Sequence, residues 1–181
     1  MLKRILFVVF VISVGFSYAQ KINWVSFNEA LELQKESPKK IIMDVYTNWC
    51  GPCKMLDRNT FQNKDVANFV NANYYAVKFN AEGDDKVAYA GQDFRNPNYD
   101  PSLSKRRNST HQFSRYLQVS AYPTIVFFDE DAQVITPIKG YQNPQQLELY
   151  LKIFKDNAYK NIKSQEDFNK FYETFKPEFK S

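Results

Sequence analysis

Two cysteines in 181 residues are too few for a disulfide-rich scaffold. Five glycines and eight prolines, beside 44% hydrophobic and 24% charged residues, argue against a collagenous or disordered chain and for a globular one. The apolar run from Ile5 to Phe16 is interrupted by Ser13 and Gly15 and falls short of the ~18 residues that would argue for a spanning helix. Neither sign of charge dominates: 24 basic against 20 acidic residues give +4, or about +2 without Lys3 and Arg4, which lie in a segment expected to be removed. Without a concentrated basic face, that balance does not point to nucleic acid. What the chain has in quantity is aromatic rings, 17% of its residues, so core and interface contacts lean on large side chains. At ~150 residues per domain, the length accounts for one domain with modest extras.

Met1-Leu2-Lys3-Arg4, the apolar run and Ser17-Tyr18-Ala19 follow the order of a secretory signal: positive start, greasy stretch, small residues at the cleavage point. Cleavage is expected near Ala19, which would leave no integral membrane span; an uncleaved anchor is the alternative. No cysteine follows the run to carry a lipid. Either way the domain is expected to work in a periplasmic or otherwise exported setting, where disulfides persist.

The rest divides into a domain over residues 20–155 and a C-terminal helical extension over 156–181. Ser26 and Glu29 read as a capping box opening a first helix to about Glu36, which Pro38 ends. Lys40 to Tyr46 is a short apolar run of strand length with one acid, Asp44, inside it. Pro52 sits just inside the next helix, where its missing donor costs nothing, and a break near Asn63 separates a second helical piece. Tyr74 to Asn80, Pro123 to Asp129 and Ala132 to Ile138 read as strands, the last two joined in a hairpin. Asn143-Pro144 opens another helix, and Ser164 a last one with Phe168, Phe171, Tyr172 and Phe175 along one side. Between them, an insertion at about 83–111 is polar, with Asn96-Pro97 and Asp100-Pro101 turn signals, and reads as a long loop, functional or floppy.

Both cysteines lie in Trp49-Cys50-Gly51-Pro52-Cys53-Lys54. Spacing of i, i+3 at a helix start puts both sulfurs on one side, about a turn apart, where a disulfide can form and break with little backbone movement. The free amides and positive end of that helix favour a thiolate at Cys50, with Cys53 as the shielded partner. The chemistry this fits is exchange: a mixed disulfide forms at Cys50 and Cys53 resolves it. A structural disulfide is the blander reading, but so short a loop removes little chain entropy. A zinc site would need two more ligands, and the chain's one histidine, His111, is far away in sequence. Haem attachment needs a histidine after the second cysteine, and Lys54 stands there.

On this motif after a buried strand, the chain resembles the thioredoxin family. Asp44 matches the family's buried acid, and Lys78 looks like the lysine facing it from the neighbouring strand. Tyr122-Pro123-Thr124 is similar to the cis-proline segment, and Gly140 to the glycine after the last strand. The likeness spans about Trp24 to Phe154. Within the family, Cys53-Lys54-Met55 with Thr60-Phe61 and Val66 looks most like the thioredoxin-like domains of exported thiol:disulfide interchange proteins. The resemblance implies an α/β thioredoxin fold, a central mixed sheet flanked by helices, here with a long polar insertion and an extra C-terminal helix. It implies a thiol-disulfide oxidoreductase with Cys50, Cys53, Asp44 and Lys78 as catalytic groups. Asp44, its pKa raised by burial and opposed by Lys78, would move a proton to or from Cys53. Trp49, Gly51, Pro52, Tyr122 and Pro123 would bind substrate, in part through the backbone of Tyr122; Tyr122 replaces the family's usual aliphatic residue.

The implied partners are protein thiols and disulfides, with no cofactor and no metal. The Gly51-Pro52 pair is the one found in reducing thioredoxins, so reduction is the expected direction, fed by a membrane thiol conduit as electron donor. A disulfide oxidase or isomerase, and a binding or assembly module that no longer turns over, are the alternatives. Lys105-Arg106-Arg107 reads as a solvated loop or as a guide for an acidic partner. Asn108-Ser109-Thr110 matches a glycosylation sequon. His111 reads as a surface or helix-start residue, and the last helix's aromatics as a docking stripe.

Overall fold

The computed structural model describes residues 21–180, so the expected signal segment, residues 1–19, lies outside the described residues. The chain opens with a short strand that the sequence reading did not anticipate, β1 (Trp24–Val25), before helix α1 (Phe27–Glu36). Ser26 caps α1, its Oγ accepting the Glu29 N–H at 3.2 Å. Strand β2 (Lys40–Tyr46) leads into α2 (Gly51–Leu56), a wide π-helical turn over Asp57–Phe61, and α3 (Lys64–Asn73), which Asn63 caps at the expected break. Then come β3 (Tyr74–Asn80), β4 (Val87–Tyr89), β5 (Gln92–Phe94), α4 (Gln112–Tyr116), β6 (Thr124–Phe128), β7 (Val134–Lys139), α5 (Pro144–Lys155) and α6 (Gln165–Thr174).

Five strands form one mixed sheet in the order β1-β3-β2-β6-β7, with β2 parallel to β3 and antiparallel to β6. The inner strands β2 and β6 are buried along almost their whole length, which explains their unbroken apolar runs. Their alternation sorts the core into two layers. Ile42, Ile125 and Phe127 pack with Leu56, Val66 and Val70 from the α2–α3 side and Leu147, Leu151 and Phe154 of α5. Ile41, Met43 and Val45 pack on the other face with Phe27 and Ala30 of α1. Asp44 shares its face with Ile42, so it points toward α2. β7 is the outer strand, where Pro137 is tolerated.

The insertion is not a loose loop. Its β4–β5 hairpin, turned at Ala90 and Gly91 with φ of 51° and 73°, brings Val87, Tyr89 and Phe94 into the α1 layer. The ring of Phe113 is the hub, 5.1 Å from Phe27, 5.3 Å from Phe94 and 5.6 Å from Tyr89. The polar sequence hid this because three apolar residues in short strands leave no periodic signal. His111 does start α4, but it is fully buried rather than on the surface. Its Nδ1 accepts the Phe113 N–H at 3.0 Å, which leaves the proton on Nε2 to donate to the Asp85 carbonyl at 2.7 Å.

In the C-terminal extension, Phe168, Phe171 and Phe175 pack half-buried against the α5 side, while Tyr172 is exposed. The final residues are held by a buried carboxylate: Glu148 accepts the N–H groups of Glu178 and Phe179, the latter at 2.8 Å, and pairs with Lys152 at 2.7 Å. Among the described residues, no helix is long and apolar enough to cross a membrane.

Candidate active site: a disulfide at a helix start

β2 delivers the chain to Thr47-Asn48-Trp49, and Cys50 then turns it into α2 as the N-cap. Pro52 lies in the first turn, where the helix needs no donor. Cys50 and Cys53 form a disulfide with their Cα atoms 5.3 Å apart, and the Cys50 sulfur accepts the Cys53 N–H at 3.1 Å. The cysteines are thus together as their spacing requires. The expected contrast in shielding is absent from this oxidised form, in which Cys50 is 3% and Cys53 4% exposed. Gly51 and Pro52, between them, are exposed.

Behind Cys53 lies a cavity of about 400 Å³ whose lining includes Asp44, Thr47, Cys53, Asp57 and Lys78. Asp44 is 1% exposed. Burial pushes its carboxyl up to about 7, against the pull of the Lys78 charge and with a further push from Asp57. Its Oδ1 has no hydrogen-bond partner, and neither does Thr47 Oγ1. Asp44 and Thr47, each with an oxygen that has no partner, therefore line one cavity with Cys53, an arrangement in which a proton could pass between Asp44 and Cys53.

Lys78 does face Asp44 across the β2–β3 pairing, but at 3.9 Å, and its direct hydrogen bond goes to Asp57. The simple Asp44–Lys78 pair expected from sequence is therefore a triad in which the second acid holds the lysine. Asp57 was missed, although an acid four residues after Cys53 lies one helical turn from it and was there to be read. The Lys78 ammonium also lies over the rings of Trp24 and Tyr46, at 5.2 and 5.5 Å.

The Tyr122–Pro123 peptide is cis, with Pro123 buried and Tyr122 half-buried. The Pro123 carbonyl accepts the Gly140 N–H at 2.8 Å, and Gly140 has φ of 87°, a backbone that L side chains rarely adopt. Tyr122 meets Trp49 edge to face at 6.1 Å. Trp49 is half-buried, held by Glu82 and by Arg107 of the insertion. Its Nε1 donates to Glu82 Oε2 at 2.7 Å, and the Arg107 guanidinium lies over its ring at 4.6 Å. Glu82 carried no sequence signal, since its partners are set by tertiary folding. The sequon asparagine, Asn108, is tied in as well, its amide donating to the Asp100 carbonyl at 2.7 Å. A larger cleft of about 900 Å³, between α1 and the turns of β4–β5 and β6–β7, contains neither cysteine, so size alone does not mark the site.

The family model for the thioredoxin-like domain matches residues 27–155. The chain belongs to the thioredoxin-like family. It is 25% identical over 140 residues to the thiol:disulfide interchange protein DsbD of Pectobacterium atrosepticum, covering 76% of this chain and 20% of that protein. The chain thus spans about a fifth of that relative's length. Among solved structures, a thioredoxin-fold protein from Helicobacter pylori superposes with a TM-score of 0.55 at 20% identity, over 87% of this chain and 88% of that one. A thioredoxin from Thermus thermophilus gives 0.56 at 13% identity, over 80% and 98%. These likenesses show the thioredoxin fold that the resemblance implied. This thioredoxin-like domain carries its two cysteines as a pair, Cys50 and Cys53, joined in a disulfide.

Proposed function

We propose that this chain is an exported thiol-disulfide oxidoreductase that reduces protein disulfides through Cys50 and Cys53. The observation that carries the reading is the Cys50–Cys53 disulfide at the start of α2, backed by a cavity that it shares with Asp44. In the reduced form, the Cys50 thiolate attacks a client disulfide, one client sulfur leaves as a thiolate, and a mixed disulfide forms. Cys53 gives its proton to Asp44 and attacks the Cys50 sulfur. The client leaves with two thiols, and the protein keeps the disulfide. Lys78, shared between Asp44 and Asp57, tunes the acid.

Gly51 and Pro52, flanked by Trp49 and Tyr122, form the rim on which an extended client segment lies, with the backbone at Tyr122–Pro123 available to pair with it. Export rests on the charged, apolar and small-residue order of residues 1–19, and agrees with the likeness to an interchange protein. A reductant in an oxidising compartment must itself be reduced, and a membrane thiol conduit is the donor that fits.

Insulin reduction by the wild type beside Cys50→Ser and Cys53→Ser tests catalysis: activity in the wild type alone is expected, and equal activity in all three overturns it in favour of a client-binding module. The redox potential tests direction. A value near that of thioredoxin, about −270 mV, supports a reductase, and one near about −120 mV makes the protein an oxidant.

A further inference from the structure

We propose that Lys105-Arg106-Arg107 is the partner-selecting edge of the disulfide site, and that it takes an acidic segment flanking the client cysteine. This rests on the exchange reading above and adds to it the chemistry of the client. In sequence the triplet lies far from the cysteines, yet the fold anchors it beside them on both sides. Before it, the Ser104 carbonyl accepts the Asn48 amide at 2.7 Å. After it, the Asn108 N–H donates at 2.8 Å to the same Glu82 oxygen that holds the Trp49 indole. Within it, Arg107 lies over the Trp49 ring, and the Arg106 N–H closes a turn on the Leu103 carbonyl at 2.8 Å. Asn48 and Trp49 directly precede Cys50, so the loop is held against the rim of the site.

The charges there are unbalanced. Lys105, Arg106 and Arg107 are exposed, as is Lys54 next to Cys53, and among the described residues none of the four is in an ion pair. Of the acids on this side, Asp57 holds Lys78, which leaves Glu82, buried on Trp49 and Asn108, and Asp100, which accepts the Ser102 N–H at 2.8 Å, as two carboxylates against four cations. Asp84 and Asp85 are exposed beyond the end of β3, where the Asp85 carbonyl meets His111. A preorganised row of cations beside the reacting sulfur steers an anionic segment into place, and its effect falls with salt. An anionic bilayer seated on the same loop would cover the disulfide, so a peptide fits the geometry better.

Two peptides decide it, each with one cysteine held in a mixed disulfide with nitrothiobenzoate, flanked in one by aspartates and glutamates and in the other by lysines. The reduced protein converts each to free peptide thiol and coloured nitrothiobenzoate, itself becoming the Cys50–Cys53 disulfide. Rates are divided by those with dithiothreitol to remove intrinsic reactivity. At low ionic strength the acidic peptide is expected to react about tenfold faster than the basic one, a preference that disappears in 0.5 M salt and in Lys105→Glu/Arg106→Glu. Equal rates, or a faster basic peptide, overturn the proposal while leaving exchange intact. No reaction with either peptide, where dithiothreitol reacts with both, removes the exchange reading and this one with it. Binding to phosphatidylglycerol vesicles that the double variant loses, with no peptide preference, assigns the loop to a membrane surface and likewise overturns it.

Discussion

Lys78 hydrogen-bonds Asp57 and stands 3.9 Å from Asp44. One lysine thus answers two acids, and the buried one receives the weaker share. That division leaves burial as the main influence on Asp44 and puts its titration near neutrality.

The stability that Asp44 contributes should therefore fall with rising pH. The Asp44 carboxyl titrates about 7 folded against 3.8 ordinarily, so the folded state holds its proton more tightly. Its contribution is fully present below about 4 and is lost as pH rises through about 7. Asp44→Asn is expected to make the oxidised protein more resistant to urea at pH 8, by on the order of 2–4 kcal/mol, with no gain at pH 4. The same variant is expected to resolve mixed disulfides at least about tenfold more slowly. A variant no more stable than wild type at pH 8 would show that the acid is satisfied where it lies.

Asp57→Ala removes a negative neighbour of Asp44 and frees Lys78 to approach it. Both changes favour the ionised acid, so the Asp44 titration, followed by carboxyl carbon NMR, should move below that of the wild type. Lys78→Met should move it the other way. Were both variants to titrate like the wild type, the triad would have no electrostatic role.

His111 gives the insertion an acid limit. Burial holds its pKa below the usual 6.5, while the unfolded chain takes up a proton near that value. The neutral ring's contribution is thus complete above about 6.5 and is lost as pH falls toward the lowered folded value. A proton on Nδ1 would also end its bond from the Phe113 N–H, a cap worth about 1 kcal/mol. Hydrogen exchange at Phe113 is expected to speed up, relative to that of β2, between pH 7 and 5. Unchanged relative protection across that range would count against the limit.

Glu148 is fully buried, so losing its carboxylate strands two backbone donors and leaves Lys152 with Glu178 as its remaining acid. Glu148→Ala is expected to cost about 3 kcal/mol in urea unfolding. Removing residues 177–181 should also destabilise, and the two changes together should cost less than their sum, because they break the same contacts. Strict additivity would mean the tail is held elsewhere.

The helix starts at Ser26, Asn143 and Ser164 and the strands at β2, β3 and β6 could be read along the chain because caps and apolar runs are local. The cysteine pair could be read for the same reason: its chemistry needs only three residues of spacing and a proline at the helix start. The insertion could not. β4 and β5 are three residues each, and what stabilises them is the ring of Phe113, some twenty residues on. The positions of Glu82 and Arg107 against Trp49 were equally hidden, since a hydrogen bond across 33 residues leaves no pattern in either stretch.

Sequence by itself determined that two cysteines stand three positions apart at a helix start and what sheet carries them, because spacing, capping and hydrophobic alternation act over a few neighbouring residues. Tertiary structure alone decided which acid holds Lys78, that Asp44 keeps an oxygen without a partner, and that a basic loop packs on Trp49, the residue before Cys50. Those features depend on charges and dipoles meeting across the fold, where distance and burial, rather than order along the chain, set the energy.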